Sequence, residues 1–268
     1  MRAVTQQTLL GTGLLVLTLF TRSSGSSLSY IIPSQTQLTS QGSRRTDAED
    51  SRWFAQLNSS DQEKRREAIM EISHVEGSAA TSALLSALAD RSPRVRAAAA
   101  AGIANRREAP AVPLLAACLA KDKYAFVRKM AAYALGGFRG IDRTAALIAA
   151  LQDKDAEVRG AAAVSLGEFA DADAVVSLTA ALSDKNAFVR AHAARALGTN
   201  GSAATQAVRP MSKLLTSDED GEVRRQSATA LGSIGDRSAL AALELARRGK
   251  DPYLVQAAIE SIKILERK

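Results

Sequence analysis

Side chains that could carry chemistry are few. The 268-residue chain has two histidines, His74 and His192, and a single cysteine, Cys118. That inventory excludes a disulfide framework within the chain and any histidine-rich or multi-thiolate metal centre. Cys118 stands beside Leu119 in an alanine-rich stretch, where a small buried hydrophobe is expected rather than a nucleophile. Asp218-Glu219-Asp220-Gly221 is an acidic turn lacking the twelve-residue ligand series of a calcium loop. No Gly-x-Ser-x-Gly elbow or phosphate-binding glycine motif occurs. No cofactor and no metal are expected.

The charged residues do show a pattern. An Asp, five residues, an Arg preceded by Val, an alanine-rich run and a Leu-Gly step recur along the chain. The copies begin Asp90…Arg96, Asp122…Arg128, Asp153…Arg159, Asp184…Arg190 and Asp218…Arg224. Counted from Arg to Arg the steps are 32, 31, 31 and 34 residues. Weaker copies lie 31 residues before Arg96, at Arg65, and 31 after Arg224, where Val255 takes the Arg position. Each period holds two stretches with apolar residues at helical spacing, so each is read as a helical hairpin. A hairpin of this size cannot bury its apolar face alone and must stack on its neighbours. The glycine after the leucine is expected to close the second helix in a left-handed conformation. Trp53, Phe54 and Leu57 are expected to close the first end of the core, and Glu266-Arg267-Lys268 to give a polar finish at the other.

Composition agrees with a helical array. Apolar residues make up 46%, charged residues 24% and aromatics only 4%, which argues against a sandwich or barrel rich in β-branched and aromatic side chains. The net charge of +7 comes from 35 basic and 28 acidic residues, so it reads as solvated mixed charge. Nucleic acid is not the expected partner.

Residues 1–46 contain no Asp or Glu. Arg2 precedes the apolar run Leu9–Phe20, and small residues Ser23–Ser27 follow it. This is the layout of a secretory signal peptide. A helix of about twelve residues reaches only ~18 Å, short of a hydrocarbon core of about 30 Å. Residues 1–27 are therefore read as a signal peptide, with an uncleaved membrane anchor or a plastid-type leader as alternatives. Cleavage after Gly25 or Ser27 would suit the small residues, and the mature chain is expected to start between about Ser26 and Tyr30. Residues 28–48 read as a flexible linker and 49–268 as the repeat domain, placed in the periplasm or secreted.

The Val-Arg pair, followed by Ala-Ala-x-Ala-Leu-Gly, resembles the HEAT-like repeats of the phycobilin-lyase type over about residues 49–268. The resemblance implies an all-α fold, an α-solenoid of about seven stacked hairpins. It also implies a ladder in which each Asp (Asp90, Asp122, Asp153, Asp184, Asp218) reaches an Arg of its own or an adjacent repeat. The arginines are Arg65, Arg96, Arg128, Arg159, Arg190 and Arg224. Arg159 is expected to depend on Asp153, within its own repeat. Two enzymes share the repeat type. Deoxyhypusine hydroxylases hold iron with His-Glu dipeptides, but Val75 follows His74 and Ala193 follows His192 here. A phycobilin-lyase-like or other enzyme-accessory role, with a small ligand in the groove, is kept as the alternative. A HEAT-like DNA glycosylase would need a basic concave face with aromatics, and Trp53 lies outside the central repeats.

In the geometry that the resemblance implies, the second helix of each pair lines the concave face. The ladder Arg and the third and seventh residues after it point inward, leaving the first, second and fifth facing the groove. Met130, Tyr133 and Val164 are the largest groove side chains of the middle repeats, and His192, Arg195 and Arg225 make the C-terminal part basic and polar. The function expected is a non-catalytic scaffold that binds a protein or peptide there, one with an apolar stretch followed by acidic residues.

Overall fold

The computed structural model describes residues 47–104, 106 and 110–267. The segments read as signal peptide (1–27) and as linker up to residue 46 lie outside the described residues. Among those described, the chain forms fourteen α-helices in seven hairpins and no strand. The first members are α1 (Asp47–Gln56), α3 (Ser78–Ala87), α5 (Ala111–Lys121), α7 (Ile141–Ala150), α9 (Val175–Ala181), α11 (Val208–Ser217) and α13 (Leu240–Arg247). The second members are α2 (Gln62–Ile72), α4 (Pro93–Ala104), α6 (Ala125–Gly136), α8 (Ala156–Leu166), α10 (Ala187–Thr199), α12 (Gly221–Ile234) and α14 (Pro252–Glu266). Helix α1 starts at Asp47, so the linker read as 28–48 gives up its last two residues to the repeat domain.

The second helices begin where the sequence supplies a cap. Asp61, Asp155, Asn186, Asp220 and Asp251 each accept the backbone N–H two residues ahead, satisfying a donor that the helix leaves unpaired. Pro252 occupies the first turn of α14, where its missing N–H costs nothing.

The core is a continuous spine of small and branched side chains. The third residue after each ladder Arg is buried (Ala68, Ala99, Ala131, Ala162, Ala193, Ser227), as is the seventh (Ile72, Ile103, Leu135, Leu166, Leu197, Leu231). Trp53, Phe54 and Leu57 pack partly buried against the same core.

The Leu-Gly glycines are not left-handed, although Gly167 does stand at the C-cap of α8. Gly136, Gly167, Gly198 and Gly232 are absent from the residues with positive φ, and Gly167 has φ −77. Their work is close approach. A Cβ on Gly232 would stand 2.5 Å from Ser261 Oγ and 2.8 Å from Ser261 Cα on the next second helix. On Gly198 it would stand 3.0 Å from Ala230 Cα. Contact runs from the eighth residue after one Arg position to the sixth after the next. At the first such interface the small residue changes sides, with Gly102 facing Ser73. Ser165 and Ser261 also donate across the contact, to the carbonyls of Ala132 (2.9 Å) and Ala228 (2.8 Å). Successive second helices therefore touch backbone to backbone and pack more extensively than successive first helices, of which α5 with α7 and α11 with α13 also meet directly. A closely packed row is the one expected on the inner side of a curved array, so this face is called the inner face.

Arg143 on α7 is fully buried, and sequence reasoning gave it no place. It donates to the carbonyls of Leu135 (3.2 Å) and Ser165 (2.5 Å) and to the carboxylate of Asp171, tying three successive hairpins together. A buried guanidinium this well satisfied fixes register between repeats.

Candidate functional site

Two features of the repeat unit carry polar chemistry, the Arg–Asp ladder at the turns and the face of the inner helices. In the ladder, Nε and Nη2 of each Arg bind one carboxylate as a fork. Arg65 holds Asp90 (2.8 and 2.9 Å), Arg96 holds Asp122 (2.6 and 3.0 Å) and Arg128 holds Asp153 (2.7 and 2.8 Å). Arg159 holds Asp184 (2.7 and 2.8 Å) and Arg190 holds Asp218 (2.8 and 2.8 Å). Nη1 turns back to its own repeat, as in Arg159 to the Asp153 carbonyl at 2.9 Å. Every carboxylate rung thus joins neighbouring hairpins. The Arg159–Asp153 carboxylate pair expected from the sequence does not form: Arg159 binds the Asp153 backbone carbonyl and the next repeat's Asp184. The reason is reach: Asp153, in the turn between α7 and α8, turns its carboxylate to Arg128 on α6.

The rungs are little exposed, with side-chain exposures of 8% and 12% for Arg159 and Asp184. Burial pushes the Asp153 carboxyl up, but the Arg128 guanidinium and the Asp155 N–H hold it below the ordinary value. At Asp184 the bond from Arg159 is the largest influence, and the carboxyl is again lowered. These groups are register pins, fully engaged with each other.

Arg224 departs from the series. Its Nη1 donates to the Asp218 and Glu219 carbonyls, but among the described residues no carboxylate forms an ion pair with it. The expected Asp218–Arg224 rung is absent because Asp218 serves Arg190.

On the inner face, the residue after each ladder Arg faces the second residue before the next Arg position. Lys129 meets Glu157 at 2.5 Å in this register. One repeat on, the pair becomes Gly160 and Phe188, with the ring lying where a Gly160 Cβ would be. Ala97 and Phe126 hold the equivalent positions on α4 and α6 and line one hollow with Met70, Ala98, Ala101 and Met130. The inner face therefore holds two aromatic seats on small-residue floors, separated by a charged pair. Tyr133 lines the hollow between Lys129 and Phe188.

The expected groove residues fall into place unevenly. Met130 belongs to the first seat and Tyr133 to the hollow. Val164 is half-buried, while Gly160, Ala161 and Ala191 are buried and unavailable to a partner. His192 stacks edge-on against Phe188, 4.2 Å between ring centres, and its buried Nδ1 has no hydrogen-bond partner among the described residues. Burial and then Arg195 push its pKa below the ordinary histidine value, against the pull of Glu222. Arg225 is held by Glu222 (2.7 Å) and Asp251 (3.4 Å), so the C-terminal part is less basic than the sequence suggested. Arg195 is exposed beside Gln226 and Thr229. Phe126 and Phe188 went unrecognised in the sequence. They stand two residues before the ladder Arg, one helical turn ahead of groove positions already identified. That spacing was the available signal.

Stacked hairpins with a tightly spaced inner row and a register ladder define an α-solenoid. Residues 51–136, 144–211 and 189–263 match the HEAT-repeat family, and the chain belongs to it. It is similar to the YibA protein of E. coli, at 19% identity over 82% of this chain and 93% of that one, with a TM-score of 0.54. The CpcE–CpcF complex of phycocyanin lyase from Nostoc is 24% identical over 88% of this chain and 99% of that chain, TM-score 0.52. A designed armadillo repeat protein in complex with the peptide (KR)4 is 20% identical over 80% and 98%, TM-score 0.53. At these identities the likeness is one of fold. No curated protein sequence matches this chain. Among the described residues no helix is long and apolar enough to cross a membrane.

Proposed function

We propose that the chain is a non-catalytic scaffold whose inner face binds a segment of another protein, outside the cytoplasm. One observation carries the reading. Phe126 and Tyr133 on α6 and Phe188 on α10 are 41%, 38% and 45% exposed, with α8 between the two helices. Large rings left in solvent above floors of alanine and glycine are the anchors expected of a peptide groove. The charges around them, Lys129 with Glu157 and Arg225 with Glu222, engage each other and frame the seats.

The two seats lie two helix spacings apart, about 16–20 Å at a usual interaxial distance of 8–10 Å. An extended segment covers that in roughly five or six residues. The bound segment accordingly carries two apolar side chains at that spacing, with an acidic residue placed to meet Arg195 beyond the second. Binding of such a peptide to the full chain, followed by fluorescence anisotropy, should weaken at least tenfold on Phe188→Ala. Equal binding by the variant would remove the seat from the account.

Export rests on the leader alone. The mature N-terminus of secreted material should lie between about Ser26 and Tyr30. A cytosolic product retaining Met1 would oppose it.

A further inference from the structure

Five of the rungs share one donor set. Nε and Nη2 of the Arg, together with the backbone N–H two residues after the Asp, converge on a single carboxylate. Arg128 and the Asp155 N–H meet on Asp153. Arg159 and the Asn186 N–H meet on Asp184, and Arg190 and the Asp220 N–H on Asp218. The corresponding donors at the next step are Arg224 and the Asp251 N–H.

The guanidinium of Arg224 is already set in the ladder pose. Its Nη1 reaches the Asp218 carbonyl at 2.7 Å and the Glu219 carbonyl at 3.1 Å, as Arg159 reaches those of Asp153 and Lys154 at 2.9 and 3.3 Å. Gly249 stands at the aspartate position, six residues before Val255. Its turn matches those of Asp90, Asp153 and Asp184: Gly249 N–H bonds the Ala246 carbonyl at 3.0 Å as those residues bond Ala87, Ala150 and Ala181 at 3.1 Å. The side chain is what is missing, and a Cβ on Gly249 would stand 3.0 Å from the Ala246 carbonyl oxygen. Arg248 and Lys250 flank the gap and are exposed. The nearby Asp251 carboxylate is committed to Arg225 and to the first N–H groups of α14.

We propose that Arg224, over Gly249, is an open rung that takes a carboxylate from outside the repeat unit: an aspartate, glutamate or C-terminal carboxylate of a docked protein. The site lies at the turn edge, distinct from the inner groove, and does not depend on what that groove binds. Five identical forks filled by carboxylates argue for this ligand over a bulkier anion. The flanking Arg248 and Lys250 favour an acidic segment.

Acetate is the probe. The Nε–H resonance of Arg224, assigned by its loss in Arg224→Lys, is followed by NMR in the full chain. Acetate should shift it towards the positions of the five paired arginines, while chloride at equal ionic strength should not. Gly249→Asp supplies the carboxylate within the chain. It should place the resonance with the ladder set without acetate and abolish the acetate response. Equal effects of acetate and chloride, or an unchanged Arg224 resonance in Gly249→Asp, would overturn the proposal. A larger response to phosphate than to acetate would overturn the carboxylate assignment.

Discussion

Gly232→Ala sets two effects of opposite sign against each other. Replacing a helical glycine by alanine ordinarily stabilises by ~1 kcal/mol. Here the new Cβ would lie 2.5 Å from Ser261 Oγ, 2.7 Å from its Cβ and 2.8 Å from its Cα, so rotating the serine cannot clear it. Overpacking of this kind costs about 1–3 kcal/mol, and forcing the helices apart weakens the Ser261–Ala228 bond by up to about 1 kcal/mol more. The clash wins. A net loss of about 2 kcal/mol is expected, seen as a Tm drop of roughly 4–8 °C. Adding Ser261→Gly should recover part of it, because Gly102 facing Ser73 shows that the interface works with the glycine on either side. Gly221→Ala is the control. Its nearest neighbour is the movable end of Arg225 at 3.2 Å, and the change should stay within about 0.5 kcal/mol. Urea midpoints and thermal melts of the four proteins suffice. Stabilisation by Gly232→Ala, or no recovery with Ser261→Gly, would refute the close-approach account.

Arg159→Leu should cost about 3 kcal/mol by stranding Asp184 in a largely buried site. Adding Asp184→Asn should return part of that loss in a double-mutant cycle, whereas adding Asp153→Asn should not; coupling to Asp153 would contradict the inter-repeat rungs. The ladder carboxyls are held below their ordinary pKa, so their stabilisation is complete above about pH 4 and fades as the pH falls through the lowered values. Asp153→Asn should accordingly flatten the fall in urea midpoint between about pH 4 and pH 2; an unchanged slope would show that the rung adds nothing. Tyr133→Ala should weaken a groove-bound peptide by about 1–3 kcal/mol while leaving Tm nearly unchanged. Arg195→Glu should slow association with an acidic peptide, and an effect on dissociation alone would remove its steering role.

Much of the fold was legible because it rests on local patterns. The Val-Arg register gave both helices of each hairpin, and the third and seventh positions after the Arg are buried as helical periodicity requires. What was misread depends on neighbours that one repeat does not show. The glycine after Leu135 looks like a helix stop, yet its reason is Ser165 on the next inner helix. Asp153 and Arg159 are six residues apart, but the side chains reach in opposite directions, to Arg128 and Asp184. Arg225 reads as a free cation until α12 and α14 bring Glu222 and Asp251 to it. Phe126 and Phe188 could have been found by extending each groove stripe one turn towards the helix start.

On the proposed function, the paired seats at Phe126 and Phe188 select what the protein binds. The direct measurement is selection of a random peptide display library on the full chain, with Phe126→Ala/Phe188→Ala as the parallel target. The account predicts enriched peptides with two apolar residues about five or six positions apart, and at least a tenfold loss of their binding to the double variant. Peptides without that spacing, or ones that bind the double variant as well as the native chain, would contradict it.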